Sequence, residues 1–281
     1  MSALPPGPKL EIREFQRICR LIHQRAGIAL GHSKHTMVYA RLSRRLRTLG
    51  LACFSDYLDW LESDADPNEW QAFINALTTN LTAFFRESHH FQQLQQQLLD
   101  QASTASRARP LRLWSCAAST GEEVWSMAIT ACEAFSSLTP PVHIVATDID
   151  THVLNVARQG IYKQERIHGL SEAVRKRYFL QGRGSQAGQC RVNAALQALV
   201  EFRPLNLLAT RFAIGGPFTA LFCRNVMIYF DKPTQRRVLT QLVRHMDEHS
   251  RLYTGHSENY LHAADLIIPC GRNRYRRAAV S

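Results

Sequence analysis

The stretch LRLWSCAASTGEE runs from Leu111 to Glu123. A short apolar run, Leu111 to Trp114, gives way to small residues, a single glycine at Gly121, and then a helical pattern. Strand, loop and helix N-terminus in that order form the first half of a ligand crevice in an open α/β sheet, where ligands sit at the carboxyl ends of the strands. The second half is an acidic residue ending the next strand. Asp148, in ATDID, stands there, where a carboxylate holds ribose hydroxyls.

The loop departs from a dinucleotide fingerprint in two ways. It holds one glycine in place of three, and Glu122 and Glu123 stand where a pyrophosphate would take backbone N–H groups. These carboxylates satisfy the helix dipole themselves and would repel phosphate. Taken alone, they read as ordinary first-turn residues. Taken with Asp148, they favour a cofactor with ribose and cationic groups but no phosphate, and S-adenosylmethionine is such a molecule.

Outward from the loop, apolar strands alternate with helical patterns. LRLW precedes a helix from Gly121 to Phe135, and VHIVAT precedes one from Thr151 to Gln159 closed by Gly160. ALFC (220–223) precedes a helix from Pro233 to about Met246 and a strand RLYTG. That rhythm predicts a mostly parallel sheet with helices on both faces. It breaks between Gly160 and Leu205, where a short helix (Ser171 to Tyr178), FLQGRGSQAGQCRV and LQALVEFRPL suggest an inserted β-hairpin around a Gly-rich turn.

The N-terminal part has a different texture. Residues 1–9 form a Pro-rich lead read as disordered. Helices are predicted from Glu11 to Arg25 before Gly27, Thr36 to Leu49 before Gly50, Cys53 to Leu61, and Glu69 to Asn80 after Pro67. A Gln-rich helix, Glu87 to Asp100, and the polar linker QASTASRARP lead into the sheet.

Composition bounds the class. The chain has 281 residues, 45% of them hydrophobic, enough for one large core or one core plus a small helical domain. No apolar stretch spans a bilayer, since FTALFCRNVMIYF is interrupted by Arg224 and Asn225. The N-terminus lacks signal-peptide features. Seven cysteines without a CxxC pair argue against a zinc site or disulfide framework. A cytoplasmic protein without a metal is expected. Net charge is +11, which favours an acidic partner, and residues 1–60 hold ten Lys and Arg against four Asp and Glu. In TMVYARLSRRLRTLG, Val38, Tyr39, Leu42, Leu46 and Leu49 share one helix face, and Arg41, Arg44, Arg45 and Arg47 are expected on the other.

Two further segments point to the crevice. In ALFCRNVMIYFD (220–231), Asn225 offers hydrogen bonds and Tyr229 a π face to a sulfonium. In TTNLTAFFRE (78–87), Asn80, Thr82 and Arg86 alternate with Leu81, Phe84 and Phe85, and Arg86 can clamp a carboxylate. Each segment also fits a plainer role, as a buried strand or as a helix end anchored by its phenylalanines.

TNLTAFFRE, WSCAASTGEE, ATDIDTHVL, NLL (206–208), FCRNVMIYFDK and GHSEN (255–259) together resemble the motif series of the CheR-type chemotaxis receptor methyltransferases, from about Arg17 to Tyr275. The resemblance implies an α/β fold: a Rossmann-like class I methyltransferase domain (111–281) with an inserted small β-subdomain (about 162–204). A small all-α N-terminal domain (10–88) and a helix and linker (89–110) precede it. It implies an enzyme that methylates glutamate side chains of membrane chemoreceptors with S-adenosylmethionine, leaving S-adenosylhomocysteine. By motif position, Asn80, Thr82, Arg86, Glu123, Asp148, Asn206, Leu207, Arg224 and Asn225 would contact the cofactor. Arg86 and Tyr229 would align the transferring methyl. The turn carrying Gly182, Gly184 and Gly188 would grip the receptor's C-terminal pentapeptide tail. Arg41, Arg44 and Arg45 would dock the acidic receptor methylation helices.

The chain departs from the family pattern at GEEVWS (121–126), where relatives often read GEEPYS, and at MDEHSR, where a Gly-containing turn is usual. Two rivals compete. A nucleic-acid methyltransferase predicts Asn or Asp-Pro-Pro-aromatic after the fourth strand, where NVMIY stands. A non-catalytic adenosine-binding module fits poorly with Arg86, Glu123, Asp148 and Tyr229 all present. No nucleic acid and no membrane insertion are expected.

Overall fold

The computed structural model describes residues 8–63 and 66–279, so most of the Pro-rich lead lies outside the described residues. The chain divides into two compact units. The first holds residues up to Thr79 together with Tyr229–Thr234, and the second holds Asn80–Ile228 and Gln235 onward.

The first unit has four helices: α1 (Ile12–Ala26), α2 (His35–Leu49), α3 (Phe54–Ser63) and α4 (Pro67–Leu77). Sequence signals mark their ends. Glu11 and Glu14 form a capping box at α1, Asp66 accepts from Asn68 N–H before Pro67, and Gly27 and Gly50 close α1 and α2 in left-handed geometry at φ 72° and 69°. Ile18, Ile22, Val38, Leu42, Leu46, Phe54, Tyr57 and Phe73 fill the core.

The basic face of α2 differs from the sequence expectation. Arg45 pairs with the buried Glu69 of α4, with Nε at 2.9 Å, and Tyr57 Oη donates to the same carboxylate at 2.8 Å. Arg41 donates to the α4 end carbonyls of Ala76 and Thr78. Arg44 and Arg47 are exposed. The reason is that α2 packs against α4 as well as the rest of the core, so two arginines on that flank become internal partners.

The second unit begins with α5 (His89–Asp100) and then alternates: β1 (Leu111–Ser115), α6 (Glu122–Ala134), β2 (Val142–Asp148), α7 (Thr151–Gln159). An excursion follows through β3 (Ile161–Lys163), α8 (Glu172–Tyr178), β4 (Phe179–Gln181), β5 (Gln189–Val192) and α9 (Ala194–Gln197). The chain ends with β6 (Val200–Pro204), β7 (Ala220–Phe222), α10 (Lys232–Val243), β8 (Arg251–Tyr253), β9 (Ile267–Gly271) and β10 (Arg274–Arg277).

Seven strands form one sheet in the order β6-β2-β1-β7-β8-β10-β9. β1 pairs in parallel with both β2 and β7, with Leu113 opposite Ile144 on one side and Ala220 on the other. Strand order therefore reverses between β1 and β7, and the crevice of such a sheet opens at that reversal. α6 is buried along most of its length, and Trp114 and Trp125 are wholly enclosed. The terminal strands β9 and β10 run antiparallel and lie beyond the alternation read in the sequence.

The insert carries a third strand beside the expected hairpin. β3, β5 and β4 form a separate three-stranded antiparallel sheet. The segment LVEFRP belongs instead to the main sheet as β6, parallel to β2 with Phe202 opposite Ala146. Val200 and Phe202 pack on the main core, and Phe202 meets the Trp125 ring edge-on at 5.6 Å. That burial places residues 200–204 outside the insert.

Candidate active site

The carboxyl ends of β1, β2 and β7 carry the candidate residues. After β1, Ala118 N–H donates to Thr147 O at 2.9 Å, and Ser119 N–H donates to Asp148 Oδ2 at 2.8 Å. Ser119 is left-handed, and its hydroxyl donates to Asn80 O at 2.9 Å. Gly121 then turns the chain into α6 at φ 98°, where an added Cβ would stand 2.8 Å from both Ala157 Cβ and Tyr162 Oη. One glycine is needed because only one position is both left-handed and closely approached.

Glu122 and Glu123 are both buried but serve different partners. Glu122 takes Thr120 Oγ1 at 2.6 Å and pairs with Arg166 from the insert. Glu123 takes Ser115 Oγ at 2.8 Å on one oxygen and Arg224 Nη1 at 2.9 Å on the other. Burial raises the Glu123 carboxyl above its ordinary value, and Arg224 opposes that rise.

At the end of β2, Asp148 accepts from Ser119 and Asp150 N–H groups. Burial still pushes its carboxyl up to about 6. Asp150 caps α7 through His152 and Val153 N–H and accepts from Asn80 Nδ2 at 2.9 Å. Leu205 N–H donates to Asp148 O, which brings the next segment alongside. There Asn206 Oδ1 accepts from Leu208 N–H at 2.9 Å, and Leu207 is buried.

Past β7, Arg224 is enclosed, its side chain 1% exposed. Its Nη2 lies 3.1 Å from Glu87 Oε2 and donates to Arg86 O at 2.5 Å. Asn225 is left-handed at φ 57°, with Nδ2 3.4 Å from Glu87 Oε1. A Cβ on Gly255 would stand 2.4 Å from Asn225 Nδ2, so only glycine fits there. The buried Glu258 accepts from Val226, Met227 and Gly255 N–H groups and so fixes this loop.

The structure thus brings Asn80, Glu123, Asp148, Asn206, Leu207, Arg224 and Asn225 to one edge of the sheet. The Arg224 guanidinium is engaged by Glu87, Glu123 and the Arg86 carbonyl. Arg86 Nη1 donates to Leu81 O, and Thr82 O accepts from Arg166. Tyr229 belongs to the segment that groups with the helical unit, and its carbonyl accepts from Ala29 N–H at 2.8 Å. The glycines of the insert turn have backbone reasons: a Cβ on Gly182 would meet Gln186 O at 2.1 Å, and Gly184 and Gly188 are left-handed.

Sequence reasoning passed over Ser115, Ser119, Glu87, Arg166 and Glu258. Glu87 was within the quoted TTNLTAFFRE and Glu258 within GHSEN, but each is defined by partners distant in sequence. The site's donor set suits the cofactor read from the sequence. Two buried carboxylates face the strand ends, able to accept from ribose hydroxyls and an ammonium, and carboxylates fill the α6 N-terminus where phosphate would need to enter.

Residues 13–78 match the family description "CheR methyltransferase, all-alpha domain", and residues 80–275 match "CheR methyltransferase, SAM binding domain". A Pseudomonas aeruginosa protein named chemotaxis protein methyltransferase 2 is 51% identical over 94% of this chain and 93% of its own length. Proteins named chemotaxis protein methyltransferase from Klebsiella aerogenes and Escherichia coli are 53% and 50% identical, each over 88% of this chain and 83% and 85% of their own lengths.

Proposed function

The chain belongs to the CheR methyltransferase family, and from that premise we propose that it methylates glutamate carboxylates of membrane chemoreceptors, producing methyl esters. Its cofactor is S-adenosylmethionine. The observation carrying the reading is the presence of buried Glu123 in the first turn of α6 together with buried Asp148 at the end of β2, with carboxylates closing that helix N-terminus to phosphate.

In this reading Asp148 holds the ribose hydroxyls and Glu123 the ammonium. Asn80, Thr82, Asn206, Leu207 and Asn225 line the remainder, and Arg86 meets the cofactor carboxylate or the incoming one. Arg224 acts indirectly by holding Glu123. The bound cofactor supplies an electrophilic methyl on a sulfonium. A receptor glutamate, with an unperturbed pKa of about 4.3, is already a carboxylate at neutral pH, so no residue has to remove a proton. The protein's task is alignment of the acceptor oxygen and exclusion of water, and Arg86 and Tyr229 carry the alignment.

Docking is assigned to two surfaces. The β3–β5–β4 sheet, with the Gly182–Gly188 turn and an exposed Leu180 on edge strand β4, takes the receptor's C-terminal tail. The exposed Arg44 of α2 contributes charge toward the acidic methylation helices. Arg41 and Arg45 are engaged inside the helical unit and support that surface from beneath.

The test is transfer of labelled methyl from S-adenosylmethionine to receptor-containing membranes, with label released by mild base. Arg86→Ala and Tyr229→Phe each lower kcat/KM at least about tenfold if they align the transfer. Wild-type kcat/KM in both removes the alignment role, and label in RNA rather than in a base-labile ester overturns the substrate.

A further inference from the structure

Glu87 has no part in the reading above, yet it lies at the centre of the ion pairs behind the site. It closes the TNLTAFFRE segment in a left-handed conformation, φ 58°, two residues after Phe85, which is left-handed at φ 51°. Asn225, which donates to its Oε1, is left-handed too. Non-glycine residues persist in such conformations where surrounding contacts over-determine them. Here those contacts are Arg224 Nη2 at 3.1 Å, with Asn225 Nδ2 and His256 N–H each at 3.4 Å.

We propose that Glu87 is a positioning residue for the cofactor: acting through Arg224, it fixes the Glu123 carboxylate in the orientation that receives the cofactor's ammonium. The proposal rests on the reading that Glu123 meets that ammonium.

Arg224 presents a rigid planar fork. Its Nη2 is anchored twice, by Glu87 and by the Arg86 carbonyl, and Nη1 then points at Glu123 Oε2. Ser115 holds the other Glu123 oxygen. Each carboxylate oxygen has two lone-pair positions, so acceptor capacity remains for a ligand donor. Without Glu87, Nη2 keeps only the Arg86 carbonyl, so the fork, and with it the direction of Glu123 Oε2, is held less firmly.

Charge supports the same assignment. Two carboxylates flank one guanidinium, with side chains 10%, 11% and 1% exposed. His90 lies 3.5 Å from Glu87 Oε2, and burial and Arg224 keep it neutral. The ladder sets two carboxyl groups against one guanidinium in a largely water-free place, where a cation of the ligand is worth more than at the surface. Burial acts to raise the Glu87 carboxyl, but Arg224 outweighs it and holds the group below its ordinary value.

The test measures calorimetric affinity of the full chain for two ligands. S-adenosylhomocysteine carries the amino-acid end, and 5′-methylthioadenosine lacks it. Glu87→Gln is expected to weaken S-adenosylhomocysteine about tenfold and to leave 5′-methylthioadenosine within about twofold. Glu87→Gln combined with Glu123→Gln is expected to lose no more than Glu123→Gln alone, because both act through one contact. Arg224→Lys keeps the charge but removes the fork, and is expected to reproduce the selective loss should Glu87→Gln fail to fold. Equal weakening of both ligands would show a general structural role and overturn the proposal. Unchanged affinity in Glu87→Gln, with loss in Glu123→Gln, overturns the ladder and leaves the cofactor reading standing. Unchanged affinity in Glu123→Gln overturns that reading, and the role of Glu87 with it.

Discussion

Asp148 is half protonated near pH 6, because burial lifts it against the pull of the Asp150 and Ser119 N–H groups. Ribose hydroxyls donate best to its ionised form, so affinity for S-adenosylhomocysteine should fall as pH drops below about 6 and level off above 7. Asp148→Asn should weaken binding and remove that acid limb in a calorimetric pH series. His90 ties stability, rather than affinity, to pH. Its folded pKa is lowered to about 3 from 6.5 by burial and Arg224, so the unfolded chain binds more protons between those values and stability falls as pH drops below 6.5. His90→Phe should flatten that slope in urea unfolding between pH 5 and 7. Gly121→Ala, left-handed and meeting two atoms at 2.8 Å, should cost about 1–3 kcal/mol or more by the same measurement. Gly121, Glu123 and Asp148 were legible in the sequence because position along a strand-loop-helix unit places them. Glu87 was not, because its meaning depends on Arg224, 137 positions later by numbering.

Among the elements, helix ends were the most readable, since Gly27, Gly50 and Gly160 stop α1, α2 and α7 by local backbone geometry. β6 was not, because an alternating segment after a hairpin looks the same whether it pairs locally or crosses over to β2. The arginines of α2 show the same limit: helical period separates faces but does not tell which flank meets another helix. Arg45→Ala leaves Glu69 buried without its cation and should destabilise the protein by about 3 kcal/mol in urea titration, with Glu69→Gln added to it recovering part of the loss. The insert is tied to the cofactor loop by Arg166 on Glu122 and by Tyr162 Oη on Thr120 O at 2.7 Å.

For the whole molecule, the net charge of +11 predicts a partner of opposite sign and a salt-sensitive encounter. Arg44→Glu reverses an exposed charge without removing an internal pair. It should raise the KM for receptor membranes and reduce its dependence on salt, with S-adenosylhomocysteine affinity unchanged. An unaltered salt profile would remove α2 from the docking surface. The described residues contain no helix long and apolar enough to cross a membrane.

The grouping of Tyr229–Thr234 with the helical unit bears on modular exchange. The family boundary falls between residues 78 and 80, which invites recombination there. A chimera cut at that seam would take a helical unit from one parent and leave the partner of Ala29 N–H in the other. Inheritance of the two parts is therefore interleaved: whichever parent supplies α1 must also supply the short segment that carries Tyr229.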